Sequence, residues 1–304
     1  MNWTSIEAGQ SLSIVPQNSA RNVYWPARSG HIFTCSRIFT ALQLPFHGVV
    51  AIAVNGAPMG ISQRRQLLRY QALAMCPRGL GIRAGNTQLV LVLVNPLHAD
   101  FRAFRFLQRP HCLRLERKIF CGVDGLLHES LNGTLTQEDS TRLFDEVLAL
   151  ARPFLPVPGD RDPRAQQLVE LLWSHPKCSI SELADHLKLS YGRTSHLFTE
   201  AVGIPMRTYR LWQKIYQASA ALLAGATVTE AAYAAGFSDA AHYSCAFQRA
   251  YGCAPSFIFK NASVKVASTP AGRERYSGRS DCPQTYRSAS KLLSQLVQAN
   301  HDAA

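Results

Sequence analysis

The 304-residue sequence contains no apolar run near the ~18 residues of a membrane-spanning helix, so we expect no contact with a membrane. Its first ten residues, MNWTSIEAGQ, lack the basic patch and apolar stretch of a secretory signal, and we expect a cytoplasmic protein. The eight cysteines include no CxxC pair and no close group with histidine, which argues against a disulfide framework and a structural zinc site. We expect neither a metal nor another cofactor.

Acidic residues are also few, at 20 against 32 basic residues, which gives a formal net charge of +12. Such an excess is typical of proteins that bind nucleic acid. It is unevenly placed: residues 1–159 carry 16 basic and 9 acidic groups, residues 160–260 carry 10 and 8, and the remaining tail carries 6 and 3. Charge alone would therefore place a DNA-binding region in the N-terminal half.

The C-terminal half instead contains an internal repeat, between residues 179 and 259. Two segments of the form hydroxyl-x-x-Glu, Ser179–Glu182 and Thr227–Glu230, begin 48 residues apart, and each matches a capping box at the start of a helix. Phe198 and Phe247 follow at an offset of 49 residues. Two copies of one supersecondary unit indicate a duplicated helix-turn-helix.

The second helix of each unit is predicted to carry a polar outer face. These faces consist of Gly192, Arg193, His196 and Thr199 in the first unit, and of Ala241, His242, Cys245 and Gln248 in the second. A helix of this kind fits the major groove, where Arg can pair with guanine, Gln with adenine and His with an acceptor. Any one of these residues alone would be an ordinary solvated side chain, but matched faces in two repeated units favour base contacts.

A long apolar helix, at about residues 206–224, is predicted to join the two units. Its 19 residues span roughly 28 Å at ~1.5 Å per residue, and successive major grooves on one face of DNA lie ~34 Å apart. One rigid helix could therefore set both units into adjacent grooves. The candidate phosphate contacts are basic residues in this helix and in the last helix of the repeat: Arg207, Arg210, Lys214 and Arg249.

Residues 165–259 resemble the DNA-binding domain of the AraC/XylS family of bacterial transcription regulators. The resemblance rests on Leu183-Ala184, Leu189-Ser190, Leu197-Phe198, Gly203-Ile204-Pro205, Tyr209, Ala218, Leu222 and the stretch from Ala234 to Ser256. It covers about a third of the chain. It implies a domain with two helix-turn-helix units that binds double-stranded promoter DNA, usually as an activator that works with RNA polymerase.

The sequence departs from the family pattern at several positions. His196 and Cys245 stand where the family usually has an arginine in each recognition helix. Thr194 replaces an apolar core residue, and Lys214 replaces an arginine. Phosphate anchoring should then be weaker, and DNA affinity should depend more on dimerisation.

The N-terminal region predicts strands followed by helices. Residues 31–40, 46–54, 66–76 and 87–94 are the candidate strands, and Asn55-Gly56 is a hairpin signal. The region is similar to the small cupin-type sensing domains of the same family, which implies a small barrel that can hold a small-molecule effector, here of unknown identity. The two-histidine-plus-Glu motif of metal cupins is absent, so His31, His47 and His98 are interpreted as satisfied or surface residues.

A basic cluster follows the last predicted strand, on and after a candidate helix at residues 97–107. It consists of Arg102, Arg105, Arg109, Arg114, Arg117 and Lys118. A solvated face is the interpretation we favour, and a site for phosphate or another acidic ligand is the alternative.

An amphipathic helix is predicted at residues 136–152, with Thr136 as its N-cap. Leu143, Val147 and Leu150 form an apolar stripe at spacings of four and three residues. Such a stripe is either ordinary core or half of a helix–helix contact, and we assign these three residues as the candidate contact of a homodimer.

The sequence thus predicts an α+β protein. Residues 1–155 form a cupin-like sensing and dimerisation domain with a small β-barrel, and a proline-rich linker covers 156–162. Residues 163–260 form an all-α domain with two helix-turn-helix units, and 261–304 are a disordered tail.

The expected function is a sequence-specific, homodimeric promoter activator that is not an enzyme. One alternative is an anti-activator or repressor that acts through protein contacts. The other is a cupin oxygenase or a DNA-repair methyltransferase with the same DNA-binding module, which would need a metal triad or a zinc-bound cysteine cluster.

Overall fold

The computed structural model describes residues 22–27, 30–35, 44, 46–63, 66–76, 81–84, 87–96, 98–108, 111–159, 162–175, 178–223, 225–251, 254–256 and 264–266. The strands are β1 (Asn22–Ala27), β2 (Gly30–Cys35), β3 (Gly48–Ala53), β4 (Met59–Gln63), β5 (Gln66–Tyr70), β6 (Ala72–Met75), β7 (Gly81–Arg83), β8 (Leu89–Val94), β9 (Cys112–Leu115) and β10 (Val264–Val266). The helices of the N-terminal region are α1 (Phe101–Arg105), α2 (Asp124–Asn132) and α3 (Gln137–Ala151). Those of the C-terminal region are α4 (Pro163–Ser174), α5 (Ile180–Leu187), α6 (Tyr191–Val202), α7 (Met206–Leu223), α8 (Val228–Ala234) and α9 (Ala240–Tyr251).

The strands form two sheets. The larger has the order β10-β1-β2-β8-β3-β6-β9 and the smaller has the order β5-β4-β7. The predicted α+β class, with a strand-rich N-terminal region before an all-α domain, is confirmed. The described strand pairings leave the two sheets separate, so closure into a cupin-like barrel stays a prediction.

The central strands of the larger sheet are buried on both faces, which explains their continuous apolar sequences. Side chains alternate along a strand. In β8, Leu89, Leu91 and Leu93 therefore face one apolar core, shared with Met59 and Ile61 of the smaller sheet. Val90, Val92 and Val94 face the other core, which is shared with the helices. The sheet is thus a middle layer between the smaller sheet and the helices.

Asn55-Gly56 does form a turn, with Gly56 at a φ of +73°. The hairpin predicted there is wrong, because β3 pairs with β6 and β8 while β4 pairs with β5 and β7. The turn instead carries the chain from the larger sheet to the smaller one. The strand expected at 66–76 is likewise two strands, β5 and β6, separated at Gln71.

The tail prediction needs a partial correction. Val264–Val266, within the segment expected to be disordered, form β10 and pair with β1 in parallel. The other residues of 261–304 lie outside the described part of the chain. The β10 pairing brings residues 264–266, which follow the helical domain in sequence, back to the edge of the N-terminal sheet.

The interpretation of the basic cluster as a solvated face is wrong for three of its members. Arg102 is buried and donates to the Gly159 carbonyl at 3.1 Å. Arg117 donates to the Ala53 carbonyl at 2.9 Å and pairs with Asp124. Arg105 donates to a carbonyl of the helical domain, described below. Arg114 and Lys118 are exposed, and Arg109 lies outside the described residues.

Helix α3 confirms the predicted amphipathic helix, and its first turn is capped as expected, with the Asp139 N–H donating to Thr136 Oγ1 at 3.0 Å. Its stripe, however, is interior. Leu143 and Val147 are fully buried within the single chain, where α3 packs on β1, β2 and α2. Leu150 is half-buried. A dimer contact through Leu143 and Val147 is therefore not accessible as predicted, because the subunit already covers both side chains.

Gly30 lets α3 approach the sheet closely. A Cβ at this position would lie 2.4 Å from the Phe144 ring and 2.2 Å from the Leu93 carbonyl oxygen. Glycine is thus the residue that fits between β8 and α3.

Candidate nucleic-acid interface

The first helix-turn-helix unit consists of α5 and α6. Its capping box is complete: the Ser179 N–H donates to Glu182 Oε2 at 2.6 Å, and the Glu182 N–H donates to Ser179 Oγ at 3.2 Å. Hydrogen bonds from the Ser179 backbone and side chain lower the pKa of Glu182. Lys188 makes the turn at a φ of +51°, and Ser190 caps α6. The predicted duplication is confirmed for this copy.

The second unit consists of α8 and α9 and repeats the same devices. The Thr227 N–H donates to Glu230 Oε2 at 2.8 Å, and Gly236 makes the turn at a φ of +77°. Asp239 is the cap of α9, because its Oδ1 accepts from the His242 N–H at 2.7 Å.

Helix α7 joins the units as predicted. Its 18 residues span roughly 27 Å at ~1.5 Å per residue. Tyr209, Trp212, Ile215 and Ala218 are buried, and α7 packs against α6, α8 and α9. The rings of Phe198, Tyr209, Trp212 and Tyr216 form a continuous series, with neighbouring centroids 5.5–5.6 Å apart. Helix α7 therefore packs against both units and joins them rigidly.

All eight predicted base-contacting residues are exposed, and they lie on the outward faces of α6 and α9. They are Gly192, Arg193, His196, Thr199, Ala241, His242, Cys245 and Gln248. Thr194, the departure from the family's apolar residue, faces inward instead and is fully buried. Its hydroxyl donates to the Ser190 carbonyl at 3.0 Å, so the core accepts it without an unsatisfied polar group.

His242 is oriented by its neighbours. Its Nδ1 lies 3.0 Å from Ser238 Oγ, and its ring meets the edge of the Phe237 ring at a centroid distance of 5.2 Å. The imidazole is thereby fixed at the start of α9, where residues of a recognition helix reach base edges.

The candidate phosphate contacts divide into two kinds. Arg207 and Arg249 are exposed. Lys214 donates to the Gly236 carbonyl at 2.7 Å, and Arg210 donates to the Cys178 carbonyl and to Gln213. The second pair therefore ties α7 to the turn of the second unit and to the start of the first.

Asp162 is a residue that sequence reasoning missed for this surface. It is the N-cap of α4, and its Oδ2 also accepts from an Nη of Arg193 at 3.1 Å. The two residues are 31 positions apart and meet because α4 packs along α6. No local sequence signal indicates this pairing.

The two halves of the molecule share one apolar core, whose members run from β1 to α9. Polar contacts accompany it. Arg105 Nε donates to the carbonyl of Gly203, the C-cap of α6, at 2.9 Å. The rings of His31 and Tyr216 lie 5.8 Å apart, and those of His47 and Tyr251 lie 5.6 Å apart. The N-terminal region thus contacts α6, α7 and α9 directly.

Replacing Arg105 with Met should lower the free energy of unfolding by about 1–2 kcal/mol, because a part-buried charged donor to a carbonyl is lost while most of the side-chain volume is kept. Urea denaturation measures this change. Arg114→Met, at an exposed position of the same cluster, is the control and should stay within about 0.5 kcal/mol. Equal effects of the two substitutions would contradict a specific role for the Arg105 contact.

No helix in the described ranges is long and apolar enough to span a bilayer. In the same ranges, no three His, Cys, Asp or Glu side chains come together in a way that could hold a metal ion. The six cysteines that the structure describes are free thiols, and Cys253 and Cys282 lie outside those ranges.

The comparison with protein families agrees with the repeat. A helix-turn-helix domain family matches residues 183–261. No curated protein sequence matches the chain. The chain is similar to the crystal structure of ToxT from Vibrio cholerae O395, at 13% identity and a TM-score of 0.47, over 74% of this chain and 94% of that one.

Two further structures are similar at lower scores. Fatty-acid-bound ToxT from Vibrio cholerae strain SCE256 has 11% identity and a TM-score of 0.44, over 80% of this chain and 96% of that one. The AraC-like transcriptional activator CuxR has 16% identity and a TM-score of 0.30, over 61% and 73%. The two complete units and the family match identify residues 183–261 as a helix-turn-helix domain of the AraC type.

Proposed function

We propose that the protein is a sequence-specific transcription regulator that inserts α6 and α9 into successive major grooves of promoter DNA. The observation that carries this proposal is the pairing of two matched units, each with an exposed polar helix face, on the single helix α7. The length of α7, roughly 27 Å, is of the same order as the ~34 Å between successive major grooves on one face of DNA.

The base contacts follow from side-chain chemistry. Arg193 offers a guanidinium to guanine O6 and N7, and Gln248 offers an amide to adenine N6 and N7. His242, held by Ser238, presents its free ring edge to an acceptor. Gly192, Thr199, Ala241 and Cys245 provide close approach and small contacts, and His196 lies beside Arg193 on the same face.

Phosphate contacts belong in this proposal to Arg207 and Arg249, whose side chains are exposed. Arg210 and Lys214 serve chiefly to brace the domain, because they bind internal carbonyl groups. With two exposed cations among the four candidate phosphate contacts, we expect weak and modestly salt-dependent binding by one subunit, since each neutralised phosphate adds to the salt slope.

The finer parts of the proposal come from the family resemblance. They are activation of promoters, contact with RNA polymerase, a homodimer and control by a small-molecule effector of unidentified chemistry. A homodimer contact on α3 would have to use Leu150 and the exposed Phe154 that follows it, since Leu143 and Val147 are interior.

The test is the double substitution Arg193→Ala with His242→Ala in the full-length chain. Binding is measured on a sequence selected by the wild-type protein from a random pool of double-stranded DNA. Each base contact is worth ~1–3 kcal/mol of discrimination, so we expect a loss of roughly 100-fold in affinity for the selected site and a much smaller loss on random DNA.

The matched control is Arg142→Ala with His128→Ala, which removes the same two residue types from exposed positions in α3 and α2. It should leave DNA binding unchanged. If the Arg193/His242 variant binds the selected site as well as wild type does, neither helix face reads bases as proposed. The anti-activator hypothesis, which needs no specific DNA contact, would then gain support.

A further inference from the structure

The guanidinium of Arg193 is held from one side before any DNA is present. Its Nη2 donates to Asp162 Oδ2 at 3.1 Å, across the junction between the N-termini of α4 and α6. About half of the Arg193 side chain is exposed, whereas Asp162 is 14% exposed. The carboxylate of the pair is therefore largely buried, whereas the guanidinium is accessible to solvent.

Asp162 is itself fixed by three hydrogen bonds from Arg164. Its Oδ1 accepts from the backbone N–H of Arg164 and from Arg164 Nε, both at 3.0 Å, and its Oδ2 accepts from an Nη at 2.8 Å. Those bonds, the side-chain ones first, lower the pKa of Asp162 to about 2, and Arg193 makes a smaller contribution. The carboxylate is therefore ionised and immobile throughout the physiological pH range.

The linker places this carboxylate relative to the N-terminal region. Asp162 is the last residue of the segment 156–162, and three residues earlier the Gly159 carbonyl accepts from the buried Arg102 of α1. Arg105, one turn further along α1, binds the carbonyl at the other end of α6. Helix α1 of the N-terminal region thus hydrogen-bonds both to the linker just before Asp162 and to the C-cap of α6, the first recognition helix.

A guanidinium has five N–H groups, and a bidentate contact with guanine needs two parallel ones. Asp162 accepts a single N–H of Nη2, so one edge of the guanidinium keeps both of its parallel N–H groups available. Among the residues that the structure describes, Asp162 is the one hydrogen-bond partner of the Arg193 guanidinium. The carboxylate therefore restricts the side chain without occupying the edge that would face the groove.

We propose that Asp162 is a positioning residue for DNA recognition, which holds the Arg193 guanidinium in the orientation that selects guanine. This inference rests on the proposed function. The expected effect of Asp162 on DNA affinity is unusual. A carboxylate beside DNA repels the phosphates and so cannot add non-specific affinity. Asp162 should raise the preference for one base while leaving unchanged, or lowering, affinity for random DNA.

Asp162→Asn in the full-length protein separates the two roles of the residue. Asparagine caps a helix about as well as aspartate, so α4 keeps its start, while the charged partner of Arg193 is lost. Base preference is measured on a pool of double-stranded oligonucleotides in which each position of the selected site is varied. Arg193→Ala identifies the position that Arg193 contacts.

At that position we expect Asp162→Asn to lower the preference for guanine roughly fivefold, as a part of the discrimination that a bidentate Arg–guanine pair supplies. Affinity for random DNA should stay the same or rise. Asp139→Asn is the matched control, because it removes a carboxylate that pairs with an arginine, Arg142, within α3 and away from α6. It should keep the guanine preference.

Three results would overturn the inference: an unchanged guanine preference in Asp162→Asn, an equal loss on every sequence, or a change at a position that Arg193→Ala does not affect. Asp162→Ser, which also caps a helix, repeats the test should the Asn variant unfold. If the wild-type protein shows no sequence preference at all, the proposed function itself is wrong. That outcome is distinct from a wild-type preference that Asp162 does not influence.

Discussion

Lowering the pH from 7 to 5 should remove roughly 4 kcal/mol from the free energy of unfolding, chiefly through His31 and His47. Both side chains are buried at the contact between the larger sheet and the helical domain. Burial lowers the pKa of His31 to about 4, and burial together with the charge of His31 lowers that of His47 to about 3. Both histidines are therefore neutral in the folded protein at neutral pH.

The direction of this change in the free energy of unfolding follows from proton uptake. In the unfolded chain both groups titrate near 6.5, so between that value and the folded pKa the unfolded state binds more protons. The stability is complete above pH 6.5 and is lost as the pH falls, at roughly 2 kcal/mol for each histidine by pH 5. His98, whose pKa is also lowered mainly by burial, acts in the same direction.

His47→Met provides the test of this assignment. Neither ring nitrogen of His47 has a hydrogen-bond partner among the described residues, so an apolar side chain of similar volume should raise stability at pH 7 by about 1–3 kcal/mol. It should also remove about half of the loss between pH 7 and pH 5, measured by urea denaturation at each pH. His128→Gln, at an exposed position of α2, should leave the pH dependence as in wild type. A pH dependence of His47→Met equal to that of wild type would show that His47 does not carry the effect.

His31 and His47 lie at the contact with the DNA-binding domain, so their protonation at low pH would act on that contact. Their rings lie against Tyr216 of α7 and Tyr251 of α9, so protonation would place charge between the sheet and the helices that set the two recognition units. Sequence alone interpreted His31 and His47 as satisfied or surface residues. That interpretation is wrong for His47, since burial between two distant segments is not encoded in local pattern.

What the sequence predicted well is local. The two capping boxes join residues three positions apart, so each can be read from one short segment of the sequence. The buried face of each unit follows from helical periodicity. The outward faces, and hence the candidate base contacts, follow from the inward ones by geometry.

What it missed depends on contacts between distant segments. Arg105 and Gly203 are 98 residues apart, and Asp162 and Arg193 are 31 apart, so neither bond has a spacing rule. Arginine in a basic run gives no sign of whether its guanidinium meets water or a carbonyl, which is why Arg102 was assigned to a solvated face. The strands show the same limit, since a turn signal at Asn55-Gly56 does not specify which strands pair.

The apolar stripe on α3 leads to the second large expected effect, since Leu143→Asp should unfold the protein. Leu143 is fully buried among the sheet and α2, so the substitution leaves a cavity and places an unpaired carboxylate in apolar surroundings. The combined cost is at least about 5 kcal/mol, which is comparable with the whole stability of many domains. Circular dichroism and urea denaturation measure the loss.

Leu150→Asp separates core from dimer contact on the same stripe. Leu150 is half-buried, so its substitution should cost only about 1–2 kcal/mol and leave a folded chain. Sedimentation then tests the proposed homodimer, because a dimer that uses Leu150 should dissociate when a carboxylate is placed in its contact. A folded Leu143→Asp variant would contradict the interior position of the stripe. A Leu150→Asp variant that sediments like a dimeric wild type would place the dimer contact elsewhere on the molecule.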